Sequence, residues 1–314
     1  MGVSANEGIG TPADLHAAAT ALTGLADFGE DDYRDGLAVL LESYARDAGL
    51  TAKGVRVARA LVRGALAARL SSEAGWTANP GYAGAGIERP MFVIGLPRTG
   101  TTALHRLLTA DPAHQGLEAW LAEVPQPRPP RGTWGTNPVF QHIQAACARH
   151  HVEHPEFMGV HYIAADQVEE CWQLLRQSMR SVSFERLAHL PGYSAWLRDQ
   201  DWGGAYRRHR RNLQLIGLND AGRRWVLKNP SHLFALDALL QVYPDALADP
   251  FGTVEAVYGY FGLPLSGAAA DAMRSLTGPG RGQGHRYTLA DFGLTGAEID
   301  ERFAAIPGCE PSKR

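Results

Sequence analysis

The sequence predicts an α/β protein: a three-layer α/β/α arrangement around a short parallel sheet, preceded by a helical extension. Three observations predict it. Residues 91–95 and 225–228 are short apolar runs bounded by Gly or Pro and each is followed by a helical pattern, as expected of buried parallel strands. Before residue 89 only helical periodicity occurs. The 314 residues are 45% hydrophobic and 20% charged, a globular mixture that excludes extensive disorder. The length suits two domains, or one large α/β domain with a helical extension. The division is therefore placed between a helical N-terminal region, 1–88, and a sheet-bearing domain, 89–314.

Thr11-Pro12-Ala13-Asp14 combines a capping hydroxyl, a proline at the first helical position and a carboxylate in the first turn, which predicts a helix to about Leu25. Segments 31–48 and 52–71 follow, with Leu37, Leu40, Leu41 and Tyr44 on one face, then Ala58, Leu61, Val62, Ala65 and Leu66. Asn79 to Gly84 is a turn-rich close. Beyond the first strand, helices are expected at 101–110, 165–180, 205–218, 231–242, 252–261 and from about 295, with a Pro- and Gly-rich loop at 125–138.

Thirty Lys and Arg against 33 Asp and Glu give a net charge of −3, so no general attraction to nucleic acid or anionic lipid is expected. Three widely spaced cysteines, without a C-x-x-C, argue for a reducing compartment. The opening MGVSANEGIGTPADLH has neither the basic nor the apolar region of a secretory signal, and no apolar run approaches a membrane span. A cytoplasmic protein is expected.

Met91 to Thr102 reads as a strand, a tight loop and a helix start. Such a loop aims free backbone N–H groups and the positive end of a helix dipole at one point, and so holds a phosphate or sulfate. Gly95-x-x-x-x-Gly100 has the phosphate-loop spacing, which makes the expected fold P-loop-like, but Thr101 stands where a nucleoside triphosphatase has lysine. ATP or GTP hydrolysis is therefore not expected. Arg98 supplies a guanidinium from within the loop, flanked by hydroxyls of Thr99, Thr101 and Thr102, a set suited to a 5′-phosphate carrying a transferable group without metal.

The segment RPMFVIGLPRTGTTALHRLLTADP resembles the 5′-phosphosulfate loop of the PAPS-dependent sulfotransferases, particularly a bacterial branch with an Arg-Thr-Gly-Thr-Thr loop. DQVEECWQLL, RRWVLKNPSHLFALDALLQVYPDA, ADPFGTVEAVYGYFGLPLS and GHRYTLADFGLT also resemble blocks of that branch, in the same order. The resemblance implies transfer of a sulfonate from 3′-phosphoadenosine-5′-phosphosulfate (PAPS) to an acceptor hydroxyl or amine. It also implies catalytic roles for Arg98 and for Lys228, which stands at the end of the second strand in Leu227-Lys228-Asn229-Pro230. Glu118, or Glu123, is implied as general base, with His232 as another candidate. Cofactor contacts are implied for Arg98, Thr99, Gly100, Thr101 and Thr102, and for Arg281 and Arg286 in a Gly-rich C-terminal loop.

After Ala246 the chain departs from the family pattern. A further strand, several helices and an Arg and Ser that hold the 3′-phosphate are expected to be missing, as Leu247-Ala248-Asp249-Pro250 resembles a later block. The alternative function is therefore a catalytically impaired relative that binds adenosine phosphates or a protein partner. His150, His151, His154 and His161 lie near Cys147 but carry no zinc signature, so no metal is expected and an acceptor-pocket or surface role is preferred. The run Arg207 to Arg211 is read as a solvated face. Asp166, Glu169, Glu170 and Trp172 are expected beside the acceptor cleft, or as ordinary helix charge. A small-molecule acceptor is the expected partner, with a homodimer left open.

Overall fold

The structure is a computed structural model that describes residues 8–95, 100–155, 162–220 and 222–246, with isolated positions at 264, 266, 267 and 271. Met1–Ala248 form one compact unit and Asp249–Arg314 another. The first unit is a helix-rich α/β fold with a small parallel sheet.

Three helices precede the sheet: α1 (Pro12–Thr23), α2 (Arg34–Asp47) and α3 (Ala52–Ala78). Helix α1 begins as its sequence predicts, with the Thr11 side chain accepting from the Asp14 N–H and the Asp14 carboxylate accepting from the Thr11 N–H. Gly24, at φ 71°, ends it in the left-handed conformation that glycine adopts without a Cβ clash. Helix α3 runs seven residues past the expected Ser71, because its apolar face continues through Trp76 under the sheet domain. Helix α1 packs along α3, and α2 packs against a later helix, α8 (Pro191–Arg198).

The sheet contains β1 (Met91–Val93), β2 (His114–Gln115) and β3 (Arg224–Lys228), in the order β1-β3-β2 with both pairings parallel. Helix α4 (Thr101–Thr109) joins β1 to β2, and α5 (Ala119–Glu123) follows. Helix α6 (Pro138–Glu153) is capped by the Asn137 side chain. Helix α7 is only Trp172–Arg176, while α9 (Gly203–Ile216) leads into β3 and α10 (Leu236–Val242) leaves it after a 3₁₀ turn over Pro230–Ala235. The expected long helix at 165–180 is thus shortened to α7, preceded by a turn and a single β-bridge at Val168. The Glu169 N–H donates to the Leu117 carbonyl, and the N–H groups of Ala119 and Trp120 donate to Gln167 and Ala165, so these amides are spent across the chain instead of along a helix. The predicted helices at 252–261 and from about 295, and the Gly-rich loop between them, lie outside the described residues. Among the described residues no helix is long and apolar enough to cross a membrane.

One apolar core crosses the expected boundary at residue 88. Leu15, Leu40 and Leu66 share it with Trp120, Leu174, Leu213, Trp225 and Leu227. The helical region is also tied down by Arg69, which is 0% exposed. Its guanidinium donates to the carbonyls of Phe28, Glu30 and Gln177, pairs with Asp32 at 2.7 Å, and lies 4.2 Å over the Tyr33 ring. Arg208 extends this network to Glu73 at 2.8 Å and to the carbonyl of Arg69. The run Arg207 to Arg211 is therefore not a solvated face throughout: Arg208 and His209 are buried, and Arg208 and Arg211 flank the Trp76 ring at 4.7 and 3.8 Å.

Removing a buried guanidinium leaves three carbonyls and a carboxylate without their donor. Arg69→Ala is expected to lower unfolding free energy by about 3 kcal/mol, read as a fall in the urea midpoint with the slope unchanged.

Candidate functional site

The site forms where β1 and β3 end beside the start of α4. Gly100, the N-cap of α4, has φ 85°, a conformation strained for any residue with a Cβ, and an added Cβ there would meet nothing within 4 Å. The first amides of α4 have no acceptor within the helix, so they and its dipole present a positive end to the turn. Arg98 and Thr99 lie outside the described residues, as do Arg281 and Arg286.

Lys228 ends β3 and is 5% exposed. Its Nζ donates to Thr102 Oγ1 at 3.1 Å and pairs with Glu170 Oε1. Glu170 reaches this position because the Cys171 N–H donates to the Lys228 carbonyl at 3.0 Å, which fixes the irregular segment before α7 against the strand end. The second oxygen, Glu170 Oε2, is buried with no hydrogen-bond partner. One turn along α4 from Thr102, His105 Nε2 bonds the Val226 carbonyl at 3.1 Å, so helix and strand are joined twice on the same side. Burial holds the His105 imidazole down at about 4 against the opposing pull of that carbonyl, and the Lys228 charge adds to the lowering.

The structure brings Lys228, Gly100, Thr101 and Thr102 together and takes Glu118 and His232 elsewhere. Glu118 Oε2 pairs with Arg128 at 2.9 Å, and Arg128 also binds Gln115, Gly116 and Asp220. That carboxylate anchors the stretch carrying Arg128. His232 is 0% exposed, with Nδ1 on the Tyr206 hydroxyl at 2.8 Å and the Phe92 ring edge-on at 5.1 Å. His209 pairs with the Tyr243 hydroxyl at 2.7 Å beside it. Burial lowers His232 well below its ordinary value and takes His209 to about 3, so both rings are neutral members of a closed aromatic cluster.

Glu170 belongs to the set expected beside the acceptor cleft, with Asp166, Glu169 and Trp172, but the sequence does not choose it from among them. The only signal was its place in Val168-Glu169-Glu170-Cys171-Trp172, where nothing separates it from Glu169. On α6, His150 and His154 have ring centroids 5.2 Å apart, and among the described residues no group of His, Cys, Asp and Glu is arranged to hold a metal. His161 lies outside the described residues. Chemically, the site offers a helix start, a hydroxyl and an ammonium for an anion, with a carboxylate oxygen beside the ammonium and free of other partners.

The chain has relatives among known proteins. Residues 90–248 match the model of the sulfotransferase family. The solved sulfotransferase STF1 from Mycobacterium tuberculosis is 47% identical and superposes with a TM-score of 0.78 over 95% of this chain and 99% of that one. STF9 from Mycobacterium avium, at 23% identity, shares the fold with a TM-score of 0.69 over 94% of this chain and 95% of its own. Among curated proteins, the omega-hydroxy-beta-dihydromenaquinone-9 sulfotransferases Stf3 of Mycobacterium bovis and Mycobacterium tuberculosis are each 27% identical over 161 residues. The matched part is 50% of this chain but only 40% of theirs.

Lowering pH tests the buried neutral histidines. Unfolded histidine takes up a proton near pH 6.5 while folded His105 and His209 wait until about 4 and about 3, so stability is full above pH 6.5 and falls as pH drops below it. Each group costs up to about 1.4 kcal/mol per pH unit in that window. Urea titrations at pH 7, 6 and 5 are expected to show the fall, with a smaller slope in His105→Gln.

Proposed function

Because this chain belongs to the sulfotransferase family, we propose that it transfers a sulfonate from PAPS to the hydroxyl of a small-molecule acceptor. The observation that carries the proposal is Lys228 Nζ, held between Thr102 on the first turn of α4 and the Glu170 carboxylate.

The residues present fit the donor. The α4 amides, the Thr102 hydroxyl and Lys228 converge where a 5′-phosphate needs hydrogen-bond donors and positive charge, and glycine at residue 100 leaves room for its approach. Arg98 is proposed to add a guanidinium, with Thr99 and Thr101 beside it. Bound there, PAPS supplies an activated sulfonate. Lys228 and Arg98 then stabilise the charge that develops on the bridging oxygen as the sulfur–oxygen bond to the 5′-phosphate breaks and the electron pair leaves with the phosphate. A new bond forms from sulfur to the acceptor oxygen. The proton from that oxygen is assigned to Glu170, whose Oε2 has no other partner and whose Oε1 touches Lys228, in place of Glu118, which is committed to Arg128, and of His232, which is enclosed by the Phe92, Tyr206 and His209 rings. A hydroxyl acceptor is also the group named in the curated relatives, whose printed activity concerns an omega-hydroxy compound.

A second reading, a weakened enzyme, rests on the sequence, in which Leu247-Ala248-Asp249-Pro250 follows Ala246 where the family pattern has a further strand. A strand missing there takes with it the proposed family site for the 3′-phosphate, unless Arg281 and Arg286 replace it.

Titration calorimetry with adenosine 3′,5′-bisphosphate is expected to show binding that weakens about tenfold to a hundredfold in Lys228→Met, the loss of one charged hydrogen bond. Glu170→Gln is expected to keep binding and lose turnover of labelled PAPS. A shortened chain is expected to bind adenosine 5′-monophosphate within tenfold of the bisphosphate. No binding of either nucleotide would overturn both readings.

A further inference from the structure

The Lys228–Glu170 pair is incomplete for an ion pair that only holds the fold. Both side chains are buried, and a buried pair repays its desolvation when the remaining donors and lone pairs are also satisfied. Lys228 uses two of its three N–H donors, on Glu170 Oε1 and on Thr102 Oγ1. Glu170 Oε2 is buried with no partner. By contrast, the Arg128 guanidinium is engaged by Gln115, Gly116, Glu118 and Asp220 at once. The chain thus completes one buried ion pair and leaves the one at the strand end with a donor and an acceptor unused.

Of the two partners, the lysine side chain is the one able to swing. The Glu170 N–H donates to Glu169 Oε2 at 3.3 Å, and the next amide, that of Cys171, donates to the Lys228 carbonyl at 3.0 Å, so the backbone on both sides of the pair is fixed. Lys228 reaches across on a flexible four-carbon stem. Its Nζ already touches Thr102 on the first turn of α4. One ammonium is therefore within hydrogen-bond distance both of the carboxylate and of the helix start proposed to receive the phosphate.

We propose that the donor nucleotide takes Lys228 from Glu170, so that the carboxylate becomes available to the acceptor proton only in the donor complex. This order, donor first and acceptor proton second, rests on the sulfonate-transfer reading. Charge drives the exchange. In the mixed anhydride the 5′-phosphate carries a single negative charge. As the sulfur–oxygen bond to it breaks, the bonding pair stays on the bridging oxygen and the phosphate approaches a monoester, with a charge of about −1.5 to −2 at pH 7. The pull on Lys228 therefore grows while the bond from sulfur to the acceptor oxygen forms. The acceptor proton passes to Glu170, which has lost its ammonium partner, and Lys228 keeps its three protons.

Calorimetric titration with adenosine 3′,5′-bisphosphate tests the exchange, because in wild-type protein the nucleotide competes with Glu170 for the lysine. Glu170→Gln removes the competitor and is expected to bind the nucleotide about tenfold tighter, the worth of one charged hydrogen bond. In a Lys228→Met background there is nothing to compete for, and adding Glu170→Gln is expected to change affinity by less than about twofold. A bridge that only holds the fold predicts the opposite sign in the first comparison, because its loss loosens β3 against α4. Simple repulsion between carboxylate and phosphate predicts equal tightening with and without Lys228. Glu170→Asp keeps a carboxylate but draws it back by one methylene. Its affinity is expected between those of wild type and Glu170→Gln, and it supplies the comparison if the Gln variant does not fold. Nucleotide that binds and loses affinity in Lys228→Met, but is held no tighter by either Glu170 variant, would overturn the exchange alone, as would equal tightening in the Lys228→Met background. No binding to wild type or to either Glu170 variant would overturn the sulfonate reading and the exchange with it.

Discussion

An ammonium group 5% exposed at the end of the middle strand is the constraint around which the sheet end is organised. Burying a charge without a counter-charge costs several kcal/mol, so Lys228 requires an anion within reach, and Glu170 is the one provided. Reaching it requires residues 165–171 to stay out of a helix, with Glu169 and Cys171 bonding across to Leu117 and Lys228, and requires α4 to present Thr102. The ion pair thus fixes three segments that are far apart in sequence. It also leaves a lysine held by one carboxylate oxygen and one hydroxyl, poised to share its charge with an incoming anion.

How much of this is written in the sequence depends on how local its cause is. Helices α1, α2 and α3 follow from apolar faces repeating at the helical period and from caps such as Thr11 and Thr51, all interactions within a few residues. β1 and β3 follow from apolar runs closed by Gly or Pro. β2 is two residues long and carries no pattern, and its place beside β3 is set by hydrogen bonds to a segment over a hundred residues away. The stretch 165–171 has helix-forming residues, yet its amides are taken by Leu117, Ala164 and Lys228, a tertiary choice that outweighs propensity.

The same distinction separates the candidate site residues. Lys228 is legible because strand ends in parallel sheets face the ligand crevice. Glu118 and His232 stand at equally suggestive places, but Arg128 and Tyr206, ten and 26 residues away, engage them in the core. Glu170 differs from Glu169 only in which of the two reaches Lys228, a fact that appears with the folded backbone. Buried guanidiniums recur as the means of holding irregular backbone. Arg69 gathers the carbonyls of the 28–30 loop, and Arg128 gathers Gly116 with Glu118 and Asp220. Arg fits this use because its donors form a rigid fork that one residue can spread over several acceptors.

The most direct measurement is the position of the 5′-phosphate in a crystal soaked with adenosine 3′,5′-bisphosphate. The expected result is phosphate density at the first turn of α4, within hydrogen-bond distance of the Thr102 hydroxyl and Lys228 Nζ. Density for the nucleotide at any other place, with the Lys228–Glu170 pair untouched and nothing at the α4 start, would contradict the assignment of the site.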